Sequence, residues 1–348
     1  MLRIGFNPRM LTLAREARGL TLSALAQQLQ LSRSLLAKVE NSAIPASEKA
    51  LARITQELRL PYSFFLQRPY ALPIVGINQC FGKRISSFAK LRQVKAAISI
   101  LGMQIDNISF IIPLERFDPR KCLSIYSIPM QKNPEDLARE IRRNRRVSSG
   151  PLVNIIKMIE DLGVLVFYVH PEYIHIEGCS TLSRSGLPSM FIKYFDLQRD
   201  IPLVLGRQLY YLMNEIIGNR DMCFHFAERF ARELILPARD IAPELRNLSL
   251  PSAIELKNRW RTSISSLIRR AVELNVISAS SFNRLILEYR ALGYDTLEPG
   301  RICLEPPSSF QKLLDILIEL GYSCEDMAEI GHCSKDEIEY LIRQKPGV

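Results

Sequence analysis

The sequence predicts an α+β fold that is mainly helical and has three structured parts. Short amphipathic helical patterns, separated by turn signals, fill residues 1–70. A helix, loop, helix and β-branched strand begin near residue 131, and the strand is expected to end near His170. After Gly300 the sequence predicts three more helices, with Ser323 and Ser334 as N-terminal caps.

Length and composition restrict the class of protein. At 348 residues the chain is long enough for two or three domains, and its 47% of hydrophobic residues fits a folded protein with a sizeable core. No apolar run approaches the roughly 20 residues that a membrane span needs. The N-terminal sequence lacks the apolar centre of a secretory signal. We therefore expect a cytoplasmic protein without a membrane partner.

Cysteine spacing argues against a metal ribbon or a disulfide framework. The chain has seven cysteines, which are scattered, and none forms a Cys-x-x-Cys pair. Free thiols are the expected state. No cofactor is predicted.

Basic charge is concentrated at the N-terminal end. Residues 1–70 hold ten Arg or Lys and four Glu, a net charge of +6, within a total of +10 for the chain. Residues 310–348 hold four Lys or Arg and eight Asp or Glu, a net charge of −4. A polyanionic partner is therefore expected at the N-terminal end, whereas the acidic C-terminal end would repel phosphate.

Three helices are predicted at the start of the N-terminal domain, which we place at residues 1–68. Polar caps and turn residues put them at 7–19, 21–29 and 32–41. In the third helix Leu36 and Val39 are expected to face inward. The residues predicted to contact DNA are Arg33, Ser34, Leu35 and Lys38 on its outer face, its cap Ser32, and Arg18 after the first helix.

A helix of this kind can enter the major groove of DNA. Arginine suits the acceptor atoms of guanine, and Leu35 could contact a thymine methyl group. The alternative is a solvated helix face in a domain that contacts only protein.

The stretch LTLSALAQQLQLSRSLLAKVEN, with the later ending LPYSFFL, resembles the Cro/repressor (xenobiotic-response-element type) helix-turn-helix family over residues 9–66. The small Ala26 would let two helices cross closely. The sequence departs from that family at Gln30, where glycine is usual, and at Leu22, where a polar phosphate-contacting residue is common. The segment Ser42–Ala43 also lacks the family's usual glycine and basic residue. The resemblance implies a transcription regulator, a repressor, that binds double-stranded DNA as a homodimer.

Residues 69–130 are predicted to be a connector. Prolines interrupt this stretch, and a helix is expected near 86–103. The mostly apolar run at 108–112 favours a strand.

A second resemblance covers the middle domain, residues 131–245. The predicted order of elements, followed by GLPSMFIKYFDLQRDIPLVLGRQLYYLMNEI, resembles the ImmA/IrrE-type metallopeptidase family. It implies a zincin-like α+β domain. That family carries His-Glu-x-x-His on the helix after the strand, where both His bind zinc and the Glu is a general base. In this sequence Arg207 and Tyr211 stand at the ligand positions and Gln208 at the base position.

Each replacement removes a property that zinc hydrolysis requires. Arg207 has no lone pair for a cation. Gln208 cannot take a proton near neutral pH, and the phenol of Tyr211 would first have to ionise. We therefore predict a pseudo-enzyme that binds no metal.

The family's third ligand is also missing, because His225 and Phe226 precede the matching stretch AERFA. His225 is expected to be a partly buried core residue. A rescued site formed by Glu215, His225 and Glu228 would lack the ordinary number of ligands. Two roles stay open for the former cleft, namely binding of an anion or peptide and a filled cleft that scaffolds a dimer. In the second role Glu228 is an expected partner of Arg207.

Four arginines follow the first helix of the middle domain. They are Arg142, Arg143, Arg145 and Arg146. They could contact phosphate, or they could form a solvated helix end, as charge runs usually do.

The C-terminal region, residues 246–348, is predicted to be helical and to contain an acidic helix-turn-helix-like module. The acidic residues expected on its surface are Glu325, Asp326, Glu329, Asp336, Glu337 and Glu339. We interpret this module as a protein-contact surface.

The sequence as a whole favours a sequence-specific DNA-binding repressor with a catalytically inactive sensing or scaffolding domain. A small ligand or a partner protein would supply the signal. Two alternatives stay open. One is an antitoxin-like interaction protein, as in toxin–antitoxin systems, that binds a partner protein. The other is a metalloprotease that cleaves a repressor.

Overall fold

The mainly helical α+β class is confirmed. The computed structural model describes residues 5–69, 72–76, 88–113, 133–147, 149–169, 176–193, 200–219, 223–300, 302 and 306–342. Within these ranges the chain forms sixteen α-helices and one mixed sheet of four short strands. None of the helices described is both long and apolar enough to cross a membrane. His170 lies outside the described residues.

The N-terminal domain is a bundle of short helices that begin at polar caps. Its helices are α1 (Pro8–Ala17), α2 (Leu22–Gln28), α3 (Arg33–Glu40) and α4 (Glu48–Leu58), followed by a 3₁₀ helix (Tyr62–Leu66). The side chains of Asn7, Thr21, Ser32 and Ser47 accept backbone N–H groups at the four helix starts. The predicted limits of the first three helices are confirmed. Met10, Leu25, Leu36, Ile54 and Phe65 belong to one core.

A long helix, α5 (Phe88–Phe110), joins this bundle to the rest of the chain. One side of α5, which includes Ala97 and Met103, is part of the N-terminal core. Another side, which includes Ile98 and Ile105, belongs to a second core that lies against the sheet. Because one rigid helix contributes to both cores, it ties the position of the N-terminal bundle to the sheet.

The expected strand at 108–112 is wrong. Residues 108–110 form the last turn of α5, which continues beyond the expected end at 103. A short, mostly apolar run suits a buried helix as well as a strand. Packing decides between them, because Ile105, Ile108 and Ile112 are buried in one core whereas Phe110 is exposed.

The sheet is covered on both faces. Its strands are β1 (Ile74–Val75), β2 (Leu165–Val169), β3 (Gly178–Leu182) and β4 (Pro188–Lys193), in the order β1-β3-β4-β2. Strand β4 is parallel to β2 and antiparallel to β3. Val166 and Tyr168 enter one core, and Phe167 enters the core on the opposite face. This double burial explains why β2 has no polar side.

In the described ranges, eight helices share the core that Val166 and Tyr168 enter on one face of the sheet. They are α6 (Pro134–Asn144), α7 (Ile155–Glu160), α8 (Ile201–Ile216), α9 (Phe224–Ile235), α10 (Ala238–Ile241), α11 (Leu250–Trp260), α12 (Ile264–Glu273) and α13 (Ala279–Ala291). The predicted order of helix, helix and strand is confirmed as α6, α7 and β2. One core contains Val75 of β1 and buried residues from Leu137 to Tyr289. Packing is therefore continuous across residue 245, where the sequence predicts a domain limit.

Three helices lie on the other face with α5, as predicted after Gly300. They are α14 (Ser309–Glu319), α15 (Cys324–Gly331) and α16 (Lys335–Ile342). Ser323 and Asp326 form a capping box at the start of α15. Ser334 and Glu337 exchange the equivalent bonds at α16, with N–O distances of 3.1 and 3.2 Å. Both predicted caps are confirmed.

The prediction that every acidic residue of this module is exposed is wrong for two of them. Glu337 and Glu339 are half-buried, whereas Glu325, Asp326, Glu329 and Asp336 are exposed. The Glu337 carboxylate lies 3.7 Å from the Arg18 guanidinium of the N-terminal domain. Burial there raises the pKa of Glu337. The start of α16 thus faces the N-terminal bundle.

Candidate nucleic-acid interface

The outer face of α3 is polar and basic. It consists of Arg33, Ser34, Leu35 and Lys38, all of which are exposed as predicted. The hydroxyl of Ser32 accepts the N–H of Leu35 at 3.2 Å and so begins the helix. Leu36 and Val39 on the inner face are buried. This amphipathic pattern fixes which side of α3 faces solvent.

Arg33 and Lys38 present positive charges on this exposed face. In the part of the chain that the structure describes, neither side chain has a carboxylate within ion-pair distance. Unpaired basic groups can displace counterions from DNA phosphates and can reach base acceptors. The first turn of a recognition helix is also where base contacts usually come from.

Two arginines hold the helices of this domain together, Arg15 at α3 and Arg53 at the end of α2, and sequence reasoning missed both. Arg15 donates to both carboxylate oxygens of Glu40, at 2.7 and 3.1 Å, and to the carbonyl of Leu20 at 2.9 Å. Arg53 donates to the carbonyl of Leu29 at 3.0 Å. A bidentate pair adds geometric specificity to its energy. No local pattern joins residues this far apart, so only the assembled bundle reveals these contacts.

Arg18, also predicted to contact DNA, has other contacts in this structure. Its guanidinium donates to the carbonyl of Leu58 at 3.0 Å and lies 3.7 Å from the Glu337 carboxylate. A cavity of about 530 Å³ adjoins it, between the N-terminal bundle and the sheet. Phe167 and Val169 of β2 contribute to the cavity lining. A DNA contact by Arg18 stays a prediction.

Two turns in this domain adopt the left-handed backbone conformation. Gln30 has a φ of 54° and Ser42 a φ of 61°. Gln30 stands where the resembling family usually has glycine, and Ser42 lies in the segment that lacks that family's usual glycine. Glycine adopts positive φ freely. A residue with a side chain is penalised there by roughly 1–2 kcal/mol. The turns therefore form despite the departures, at an energetic cost.

We expect Gln30→Gly to raise the free energy of unfolding by about 0.5–1 kcal/mol. Glycine removes the left-handed penalty but also loosens the unfolded chain, so the net gain is smaller than the penalty itself. Gln27 is exposed within α2, and Gln27→Gly is the matched control, which should lower stability by about 1 kcal/mol. Urea denaturation measures both, and equal losses would contradict strain at Gln30.

Helix α8, which contains Arg207, Gln208 and Tyr211, is buried on nearly every side. Arg207 lies at its edge and forms two ion pairs. Its Nη1 is 3.0 Å from Glu228 Oε2, and its Nη2 is 2.6 Å from Glu177 Oε2. The guanidinium also lies 5.8 Å from the ring centre of Phe224. The expected contact between Arg207 and Glu228 is therefore present, and Glu177 completes it.

Gln208 links α8 to the sheet. Its side chain is fully buried. Its Oε1 accepts the Ser180 hydroxyl at 3.0 Å, and its Nε2 donates to the Gly178 carbonyl at 3.1 Å. Gly76, after β1, approaches so closely that an added Cβ would stand 2.4 Å from Gln208 Oε1. Gln208, which the resemblance aligns with a general base, is thus enclosed by β3 and the end of β1.

The other residues of the predicted cleft differ in their exposure to solvent. Tyr211 is fully buried and Glu215 is half-buried. The expectation that His225 is partly buried is wrong, because the first turn of α9 is exposed. Glu228 also pairs with Arg232 at 3.0 Å. Within the described ranges, no three His, Cys, Asp or Glu side chains are placed to hold a metal ion.

We expect Arg207→Met to lower the free energy of unfolding by about 1–2 kcal/mol, because Glu177 and Glu228 would lose their shared cation. Apparent affinity for DNA, corrected for the folded fraction, should not change. The control is Arg284→Met on an exposed site of α13, where less than about 0.5 kcal/mol is expected. Urea denaturation and DNA titration measure the two quantities. An undisturbed fold with altered DNA binding would indicate a ligand role for Arg207 instead.

Comparison with known proteins identifies the N-terminal domain. Residues 9–61 match the profile of a helix-turn-helix domain family, a stretch that runs from α1 to just beyond α4. The match supports the predicted Cro/repressor type. A domain of this class indicates a DNA-binding regulator. No curated protein and no solved structure matches the chain.

Proposed function

We propose that the chain is a sequence-specific DNA-binding transcription regulator that acts as a repressor. The observation that carries this proposal is the exposed face of α3, where Arg33 and Lys38 have no acidic partner among the described residues. The caps and the Arg15–Glu40 pair support it, since they hold that face in a fixed orientation. A positioned basic helix can read base edges and contact phosphates together.

A homodimer is the proposed active form. One recognition helix contacts only a few base pairs, and two copies related by a two-fold axis would read two half-sites. The half-sites of a palindromic operator would then lie roughly 10 base pairs apart, centre to centre.

The rest of the chain is proposed to scaffold the N-terminal domain and to transmit a signal to it, without catalysis. The proposed absence of peptidase activity is supported by Arg207 and Gln208, which the resemblance aligns with a zinc ligand and a general base and whose side chains are engaged by Glu228 and Ser180. Scaffolding is supported by α5, which contributes to the cores of both parts. A ligand in the cavity of about 530 Å³ would contact both parts, so its binding would be coupled to the position of α1.

Selection of random DNA duplexes by the full-length protein tests this function. We expect enrichment of one inverted repeat with half-sites at that spacing. Placing the selected sequence upstream of a reporter gene should lower expression when the protein is produced. Failure to enrich any sequence would overturn DNA recognition, and increased expression would overturn repression.

An antitoxin-like interaction protein is a second candidate. The exposed acidic residues Glu325, Asp326 and Asp336 of the C-terminal module favour it, because they suit a basic partner protein more than DNA. Co-purification of one stoichiometric partner with wild type, lost when these three residues are changed to Asn or Gln, would support this function.

A further inference from the structure

A concave basic pocket lies where the end of α6 meets the segment that joins α9 to α10. Its volume is about 280 Å³. Five arginines contribute to its lining, namely Arg139, Arg142, Arg143, Arg146 and Arg239. Two acids, Glu233 and Asp240, lie among them. The pocket brings together three of the arginines that the sequence shows as a charge run and one from a helix more than 90 residues later.

The two acids are already engaged by other groups. One oxygen of Glu233 lies 3.0 Å from Arg139, and the other lies 2.5 Å from Arg270 on α12. Asp240 accepts the backbone N–H of Gly150 at 2.9 Å. With Arg139 neutralised by Glu233, four guanidinium groups face one carboxylate, so the pocket keeps a positive potential.

Arg142 forms part of the pocket as a buried, fixed cation. Its residue is only 4% exposed. Its Nη1 donates to the carbonyl of Leu234 at 2.8 Å and its Nη2 to the carbonyl of Gly150 at 2.5 Å. Both partners are neutral, and among the described residues the carboxylates of Asp240 and Glu233 act on this charge only from beyond ion-pair distance. A buried cation without a contacting anion is costly, and an anion in the pocket would offset that cost.

Three more arginine side chains line the pocket with Arg142. Arg143, Arg146 and Arg239 are exposed. None of them has an ion-pair partner among the residues that the structure describes. Their planar guanidinium groups can each offer two parallel N–H donors to a tetrahedral oxyanion.

We propose that this pocket binds the phosphate group of a small ligand. Several guanidinium groups converge on one concave site, which suits a multiply charged phosphate better than a single carboxylate. The concave shape and the buried position of Arg142 favour a small molecule over the backbone of a DNA duplex. The proposal goes beyond the DNA-binding function, which depends on α3 and not on this pocket.

Isothermal titration of full-length protein with inorganic pyrophosphate, at constant ionic strength, tests the site. The pocket variant is Arg143→Gln/Arg146→Gln/Arg239→Gln, which leaves the buried Arg142 and its two bonds intact. The matched control is Arg269→Gln/Arg284→Gln/Arg290→Gln. Those three arginines are exposed on α12 and α13, and their replacement changes the net charge equally.

Wild type and the control variant should bind one pyrophosphate per chain with affinities within about twofold of each other. The pocket variant should bind at least about tenfold more weakly, since several phosphate-directed donors are lost. Adenosine diphosphate should compete with pyrophosphate for the site. Equal weakening in both variants would reduce the effect to net charge and overturn the proposal, as would no binding to wild type. Unchanged pyrophosphate binding with weaker DNA binding in the pocket variant alone would assign these arginines to DNA instead.

Discussion

Replacing Arg33 by alanine is expected to weaken binding to the preferred DNA site by about 1–3 kcal/mol, the range for loss of one bidentate base contact. Arg33 lies in the first turn of α3, is exposed and has no acidic partner in the described ranges. The preference at one base position should relax at the same time. The measurement is a titration of the selected site and of its single-base variants by fluorescence anisotropy.

Lys38→Ala should behave differently, because a lysine that touches phosphate carries no sequence information. Affinity should fall by a similar factor on every sequence, and the slope of log affinity against log salt should decrease by about 1. Arg284→Ala, which removes an equal charge from α13, is the control and should change neither quantity. Unchanged affinity in both Arg33→Ala and Lys38→Ala would remove α3 from the DNA interface.

Gln208→Glu should destabilise the fold by about 3 kcal/mol near pH 8, and the loss should grow with pH. The side chain is fully buried, and its Nε2 donates to the Gly178 carbonyl. A carboxylate would place an oxygen against that carbonyl and would bury a charge in the interior of the protein. Burial would therefore raise the pKa of the introduced Glu above its unfolded value of about 4.3.

The sign of the pH dependence follows from proton binding. Above the unfolded pKa the folded chain would hold a proton that the unfolded chain has released, so the free energy of unfolding falls as pH rises. The loss should level off above the raised folded pKa. Below about pH 4 the carboxyl group is protonated in both states, and this part of the penalty disappears.

Gln208→Met is the matched control for that experiment. It removes the same hydrogen bonds from Ser180 and Gly178 without adding a titratable group. Its loss of stability, about 1–3 kcal/mol, should not depend on pH between 4 and 8. Urea denaturation across that range compares the two variants. A Gln208→Glu protein that is as stable as wild type at pH 8 would indicate a solvated site at the general-base position, and would reopen the peptidase alternative.

Most of the correct predictions came from interactions between residues that are close together in the sequence. Asn7, Thr21 and Ser32 begin helices because their side chains accept N–H groups two or three residues later. The outer face of α3 follows from the helical period, which places Leu36 and Val39 inward. These features depend on neighbours in the chain, so the sequence alone was sufficient for the N-terminal helices and for the candidate DNA-reading face.

Two errors arose where packing chose between equal local alternatives. Residues 108–112 suit a strand or a helix, and the shared burial of Ile105 and Ile108 made them helical. Glu337 suits an exposed acidic surface, but α16 faces the N-terminal bundle and brings this residue to Arg18. The local sequence pattern does not determine either outcome, because each depends on contacts with another part of the chain.

The sequence by itself determined the helix caps and the inward and outward faces of α3. Only the tertiary structure decided how the resulting side chains are partnered. It placed Gln208 between β3 and Gly76, and it brought Arg239 to the arginines at the C-terminal end of α6. The physical reason is range. Capping and periodicity act over a few residues, whereas burial, ion pairs and pockets require segments that meet only after the chain has folded.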